Sequence, residues 1–153
     1  MDFRIRDARE GDLDALCALE QACFSLPWTR EQLESQLPDG NHEFLAAEGA
    51  GGEVLGYIGM MTVLDEGYIS NVAVAPEARR SGVGRALVGE MMRRAEIREL
   101  AFVTLEVREH NDAAIALYAE AGFVPVGIRN DYYERPREGA LLMTRFFSKE
   151  ENA

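Results

Sequence analysis

The chain has 153 residues, 47 % of them hydrophobic and 28 % charged, with 27 acidic against 16 basic side chains and a formal charge of −11. That length and apolar content suit one domain with a real core, and they exclude disorder as a description of the chain. The acidity excludes a generic DNA or RNA coat, which needs a phosphate-neutralising surface.

No apolar run reaches the ~20 residues that span a bilayer, and Met1-Asp2-Phe3-Arg4 lacks the apolar stretch of a secretory signal. The expectation is a cytoplasmic domain over residues 1–153, with no membrane or nucleic-acid partner. Its substrate would be a small molecule or a basic macromolecule.

In chain order, Phe3-Arg4-Ile5-Arg6 alternates with a period of two and predicts an opening strand. Residues 10–23 carry Leu13, Leu16, Cys17, Leu19 and Ala22 at helical spacing, starting near Asp12. Pro27 ends that helix, because proline drives its predecessor out of the α region. Thr29 is an N-cap with Gln32 as its capping-box partner, and it opens a short helix to Leu37. Pro38-Asp39-Gly40 is a turn, and residues 149–153 form a frayed tail.

Two apolar strands, 42–48 and 53–64, are joined through Gly49-Ala50-Gly51-Gly52 as a hairpin. Asp65-Glu66-Gly67 makes a second turn into a strand from Tyr68 to Val74, which Pro76 ends. A helix over 82–98 follows, with Val83, Leu87, Met91 and Ala95 on one face. Then come a buried strand (101–107), a helix (111–121), a strand (123–133) and a closing strand (140–147). Helices alternating with strands after an antiparallel start imply an α/β mixed sheet flanked by helices. Cys17 and Cys23 are six apart, without a CxxC, and His42 and His110 are remote from both. The expectation is packed thiols and no metal.

Arg79-Arg80-Ser81-Gly82-Val83-Gly84-Arg85 lies between a strand and a long helix. Glycines let a ligand approach the backbone, and the first N–H groups of a helix have no internal partners, so this segment suits a phosphate or diphosphate. A Walker A loop would need Gly-Lys-Ser/Thr, which is missing. A dinucleotide fingerprint would follow the first strand and place a small residue where Leu87 stands.

The pattern Arg79-x-x-Gly82-x-Gly84 after Val72-Ala73-Val74-Ala75-Pro76 resembles motif A of the GCN5-related N-acetyltransferases. The likeness extends from Ile5 to Met143. Leu105-Glu106-Val107-Arg108, Asn111, Leu117-Tyr118, Gly122-Phe123, Asp131-Tyr132-Tyr133 and Phe24-Ser25-x-Pro27-Trp28-Thr29 are similar to the RimI type, which acetylates the N-terminal alanine of a small-subunit ribosomal protein. The resemblance implies a mostly antiparallel twisted sheet of six to seven strands with about four helices, and a splayed strand pair that holds acetyl-CoA.

It further implies that Val72, Ala73 and Val74 pair with the pantetheine arm and that residues Arg79, Arg80, Ser81, Gly82, Val83, Gly84 and Arg85 cradle the pyrophosphate. Asn111 would contact the cofactor. Glu106, expected at a strand's end, would be the general base through water, and Tyr118 the general acid for the thiolate. Asn111 and Tyr118, seven apart on one helix, would share a face. Trp28, Tyr68 and Tyr132 are candidate walls of the acceptor slot. Tyr132 and Tyr133 would point to opposite faces if both lie in a regular strand.

The acceptor would be a basic ribosomal-protein N-terminus. Other protein N-termini, a small amine, and a non-catalytic acyl-CoA-binding module are the alternatives.

Overall fold

The computed structural model describes residues 2–37, 40–134 and 136–147. The expected turn at Pro38 and Asp39 and the expected frayed tail fall outside the described residues.

A seven-stranded sheet organises the chain, in the order β1-β2-β3-β4-β5-β7-β6. Strands β1 (Phe3–Asp7), β2 (His42–Gly49), β3 (Val54–Val63) and β4 (Glu66–Val74) run antiparallel to one another, as do β5 (Phe102–Arg108), β7 (Glu138–Phe146) and β6 (Val124–Tyr133). The two groups meet at the one parallel pair, β4 with β5. Helices α1 (Leu13–Cys23) and α2 (Arg30–Gln36) follow β1; α3 (Val83–Ile97) crosses from β4 to β5, and α4 (Asp112–Glu120) follows β5. Such a crossover is what a parallel pair requires.

α3 buries Val83, Leu87, Val88, Met91, Met92 and Ala95, the stripe its spacing predicts. They meet a core that includes Leu45, Tyr57, Ile58, Met60, Val103 and Met143. β6 is exposed almost throughout, as an edge strand can be.

Local signals explain most boundaries. Thr29 Oγ1 accepts from Gln32 N at 3.1 Å while Gln32 Oε1 accepts from Thr29 N at 2.8 Å, the expected capping box. Four of the boundaries that differ from the sequence reading have a local cause. The first helix is preceded by a separate 3-10 turn, Glu10–Asp12, because Arg6 and the backbone of Arg9 both bind the Asp12 carboxylate. The second hairpin turns on Leu64 and Asp65, with Leu64 at φ +56, so Glu66 and Gly67 are already strand. β7 starts at Glu138, whose carboxylate is held by Arg108 and the His110 N–H. Asn111 is the N-cap of α4, its side chain accepting from Ala114 N. It therefore lies one residue before the first helical residue.

Candidate active site

β4 and β5 are paired over Glu66–Tyr68 and Phe102–Thr104 only, and then diverge. Val72, Ala73 and Val74 pair with Ile58, Tyr57 and Gly56 of β3 on one side and face the opening on the other. An amide-bearing chain can add to such an edge as a strand would. Part of the edge is already engaged. The Val74 carbonyl accepts from Cys23 Sγ at 3.3 Å and from Arg79 Nε at 3.2 Å, and Arg79 Nη2 also reaches Cys23 Sγ at 3.5 Å. Arg79 is thus turned back onto the strand, away from the loop's outer face.

Past the 3-10 turn Pro76–Ala78, the backbone takes φ +65 at Arg80 and φ +89 at Gly82. Gly82 is the N-cap of α3 and no side chain caps the helix, so its leading N–H groups are left for another acceptor. A Cβ at Gly84 would lie 3.3 Å from Leu117 Cδ2 and 3.7 Å from Val74 Cγ2, so glycine keeps the helix start against both neighbours. Ser81 Oγ donates back to Ala78 O. Arg80 is exposed; Arg85 pairs with Glu120 at 2.7 Å and lines, with Val88 and Leu117, a groove of about 290 Å³ between α3 and α4. This open edge and uncapped helix are the shape and donor set that a diphosphate with an amide-bearing arm requires. A larger hollow of about 510 Å³ beside α1, lined by Ala15, Ala18, Glu53 and Pro76, contains none of the predicted site residues.

Glu106 stands inside β5, two residues before its end, rather than at the terminus. On the same strand face as Thr104, it presents both oxygens outward. Tyr132 Oη donates to Oε1 at 3.1 Å, and Arg129 Nη1 approaches Oε2 to 3.1 Å. Its cation is therefore Arg129 of β6. The Arg129 guanidinium also lies 4.9 Å from the centre of the Tyr132 ring. Tyr68 Oη donates to Glu66 at 2.6 Å, and its ring meets Phe102 edge-on. By register Tyr68 pairs with Thr104, which puts it on Glu106's side of the sheet.

The Tyr132 and Tyr133 rings touch edge-on with centroids 5.0 Å apart, contrary to the opposite-face expectation. The cause is an irregularity in β6 between Arg129 and Tyr133, with Asp131 at φ +53, which breaks the two-residue alternation. Arg108 secures the following turn by donating to Pro136 O at 2.8 Å and Glu134 O at 3.1 Å, with its guanidinium 4.6 Å from the Tyr133 ring centre.

Burial pushes the Tyr118 phenol up to about 12. Its ring packs edge-on against Phe123. Tyr133 is also raised to about 12, first by burial and then by the charge of Glu106, and Tyr118 is among the groups it senses. Trp28 packs on the core, and its backbone N–H is held by Glu20 at 2.7 Å. Among the described residues no hydrogen bond or ring contact joins it to Glu106. Sequence reasoning missed Arg129, which no motif marks, and Glu20. The second had a signal: a carboxylate in register with Leu13 and Leu16 on the buried stripe of α1.

Residues 13–123 match the model of the Acetyltransferase (GNAT) family. The fold and the site's open edge thus define a GNAT-type acyltransferase scaffold, and the chain belongs to that family. Among its relatives, the [ribosomal protein bS18]-alanine N-acetyltransferase of Escherichia coli (strain K12) is 36 % identical over 134 residues, 86 % of this chain and 89 % of that one. A putative [ribosomal protein bS18]-alanine N-acetyltransferase of Bacillus subtilis (strain 168) is 31 % identical over 139 residues, covering 91 % and 92 %. The crystal structure of the ribosomal-protein-S18-alanine N-acetyltransferase from Escherichia coli superposes with a TM-score of 0.89 at 31 % identity, covering 99 % of each chain. Among the described residues no helix is long and apolar enough to cross a membrane.

Proposed function

We propose that residues 1–153 act as one cytoplasmic acetyltransferase domain that moves an acetyl group from acetyl-CoA to the α-amine of an N-terminal alanine, with ribosomal protein bS18 as the acceptor. The observation that carries this is the opening between β4 and β5 beside the uncapped start of α3, with Glu106 on the adjoining strand. Relatives of that activity, similar over nearly the whole chain, support the choice of acceptor.

In this reading the open edge of β4 pairs with the pantetheine arm, and residues 80–85 hold the pyrophosphate through backbone N–H groups. Asn111 contacts the cofactor through its amide NH₂, since its side-chain oxygen caps α4. Glu106 takes a proton from the acceptor ammonium through water. The neutral nitrogen attacks the thioester carbon, the new C–N bond forms, and the C–S bond breaks. Tyr118 gives its phenolic proton to the departing thiolate, and the surplus proton that the nitrogen sheds as the C–N bond forms restores the phenol.

Positioning outweighs proton transfer. An α-amine of pKa about 7.7–8.0 is already a tenth to a sixth neutral near pH 7. Holding amine and thioester in line is worth ~7–11 kcal/mol, against the ~10²–10⁴-fold of general acid–base help. Tyr132, hydrogen-bonded to Glu106, and Tyr68, on the same side of the sheet, wall the acceptor slot, with Trp28 at the loop beyond.

The test incubates the purified protein with acetyl-CoA and an alanine-starting basic peptide corresponding to the bS18 N-terminus, read by mass spectrometry. One acetyl group on the α-amine is expected. Binding of acetyl-CoA without transfer to any N-terminal peptide would make the chain an acyl-CoA-binding module instead.

A further inference from the structure

The proposed reaction does not use Glu20, the most deeply buried carboxylate among the described residues. Glu20 is 1 % exposed, on the core-facing stripe of α1. Among the described residues it forms no ion pair, and all of its hydrogen-bond donors are neutral. Oε1 accepts from the backbone N–H of Trp28 at 2.7 Å, in the segment between α1 and α2. Oε2 accepts from Asn71 Nδ2 at 2.6 Å and, by a short bond, from the Tyr57 hydroxyl; Asn71 Nδ2 also lies 3.0 Å from that hydroxyl. The negative partner pushes the Tyr57 phenol, already raised by burial, further up.

Where these donors sit decides what the carboxylate can do. Asn71 pairs with Gly59, beside an irregularity in the β3–β4 ladder, and it directly precedes Val72 at the open edge of β4. Trp28 belongs to the loop proposed to face the acceptor. One oxygen of Glu20 therefore grips the acceptor-side loop and the other grips the donor-side strand.

An apolar side chain of similar size would fill the space at no desolvation cost, yet it would leave the Trp28 N–H and the Tyr57 hydroxyl without an acceptor and the two segments untied. Resting on the N-acetyltransferase reading above, we propose that Glu20 is a positioning residue. It sets the acceptor loop against the thioester-holding strand through Trp28 N on one side and Asn71 on the other.

The experiment compares wild type, Glu20→Gln and the double variant Glu20→Gln/Asn71→Asp as purified full-length chains, at a temperature where each is folded. Steady-state kinetics use the alanine-starting peptide, and calorimetry measures acetyl-CoA binding. In the single variant an amide NH₂ faces the Asn71 amide and the Tyr57 hydroxyl, so the β4 arm is lost. The double variant exchanges amide and carboxylate, so Trp28, Tyr57 and both new side chains again find partners.

The expected result is a fall in kcat of about tenfold to 10²-fold for Glu20→Gln, the scale of a misplacement of about 1 Å. Acetyl-CoA affinity stays near wild type, and kcat largely returns in the double variant. A folded Glu20→Gln protein with wild-type kcat, or a double variant with no recovery, overturns the proposal. Should Glu20→Gln not fold, Asn71→Ala cuts only the β4 arm and carries the same expectation of lost kcat with retained acetyl-CoA binding. A wild-type chain that acetylates no peptide sinks the underlying activity, whereas an active wild type with an indifferent Glu20→Gln sinks the positioning role alone.

Discussion

The phenols of Tyr118 and Tyr133 keep their protons throughout the working range. Tyr118 and Tyr133, both lifted to about 12, are neutral donors below that pH and begin to ionise only as it is approached. Tyr118→Phe should therefore lower kcat by about 10²-fold evenly from pH 6 to 9, without moving the shape of the pH–rate profile. Glu106→Gln should also lower kcat, within the ~10²–10⁴-fold of general base help; an unchanged kcat between pH 6 and 9 would remove Glu106 as the base. Arg129 competes with an acceptor ammonium for the same carboxylate. Arg129→Ala should lower the peptide KM by up to about fivefold, the ceiling set by an exposed ion pair. Glu106 and Tyr118 could be singled out as candidates because a motif surrounds each. Arg129 could not, since it reaches Glu106 only through the β5-β7-β6 order of the sheet.

Helix α3 was legible from its spacing alone, but its fastening to the sheet was not. Glu90 bonds Arg93 and Arg94, and Arg94 reaches on to Asp7 of β1 and Glu43 of β2. These guanidinium groups hold the Glu90 carboxyl at about 2, below its ordinary 4.5. A depressed carboxyl stabilises fully above its unfolded value and loses that contribution as pH falls through the folded one. Thermal unfolding followed between pH 5 and 2 should show Tm falling with pH, and Glu90→Gln should make the fall shallower. Elements failed to read where a single residue broke a period: Leu64 with positive φ moved a turn, and the β6 irregularity brought Tyr132 and Tyr133 together. Asn111 was read as helix because a cap and a first helical residue look alike until the hydrogen bond to Ala114 is seen.

At the scale of the molecule, the charge of −11 acts on encounter more than on chemistry. kcat/KM for a basic acceptor peptide should fall as salt is raised from 0.01 to 1 M, where the Debye length shrinks from about 30 to 3 Å, while a neutral peptide should barely respond. The sheet itself has a seam. β1 to β4 form one leaf and β5 to β7 another, paired strand to strand at one corner over three residue pairs. A molecule threaded into that seam becomes a second row of stitches. Amide hydrogen–deuterium exchange at Val72, Ala73 and Val74 should slow when acetyl-CoA is added. At a hundredfold excess over Kd the whole fold should gain about 2.7 kcal/mol, so the bound substrate clasps the two leaves shut.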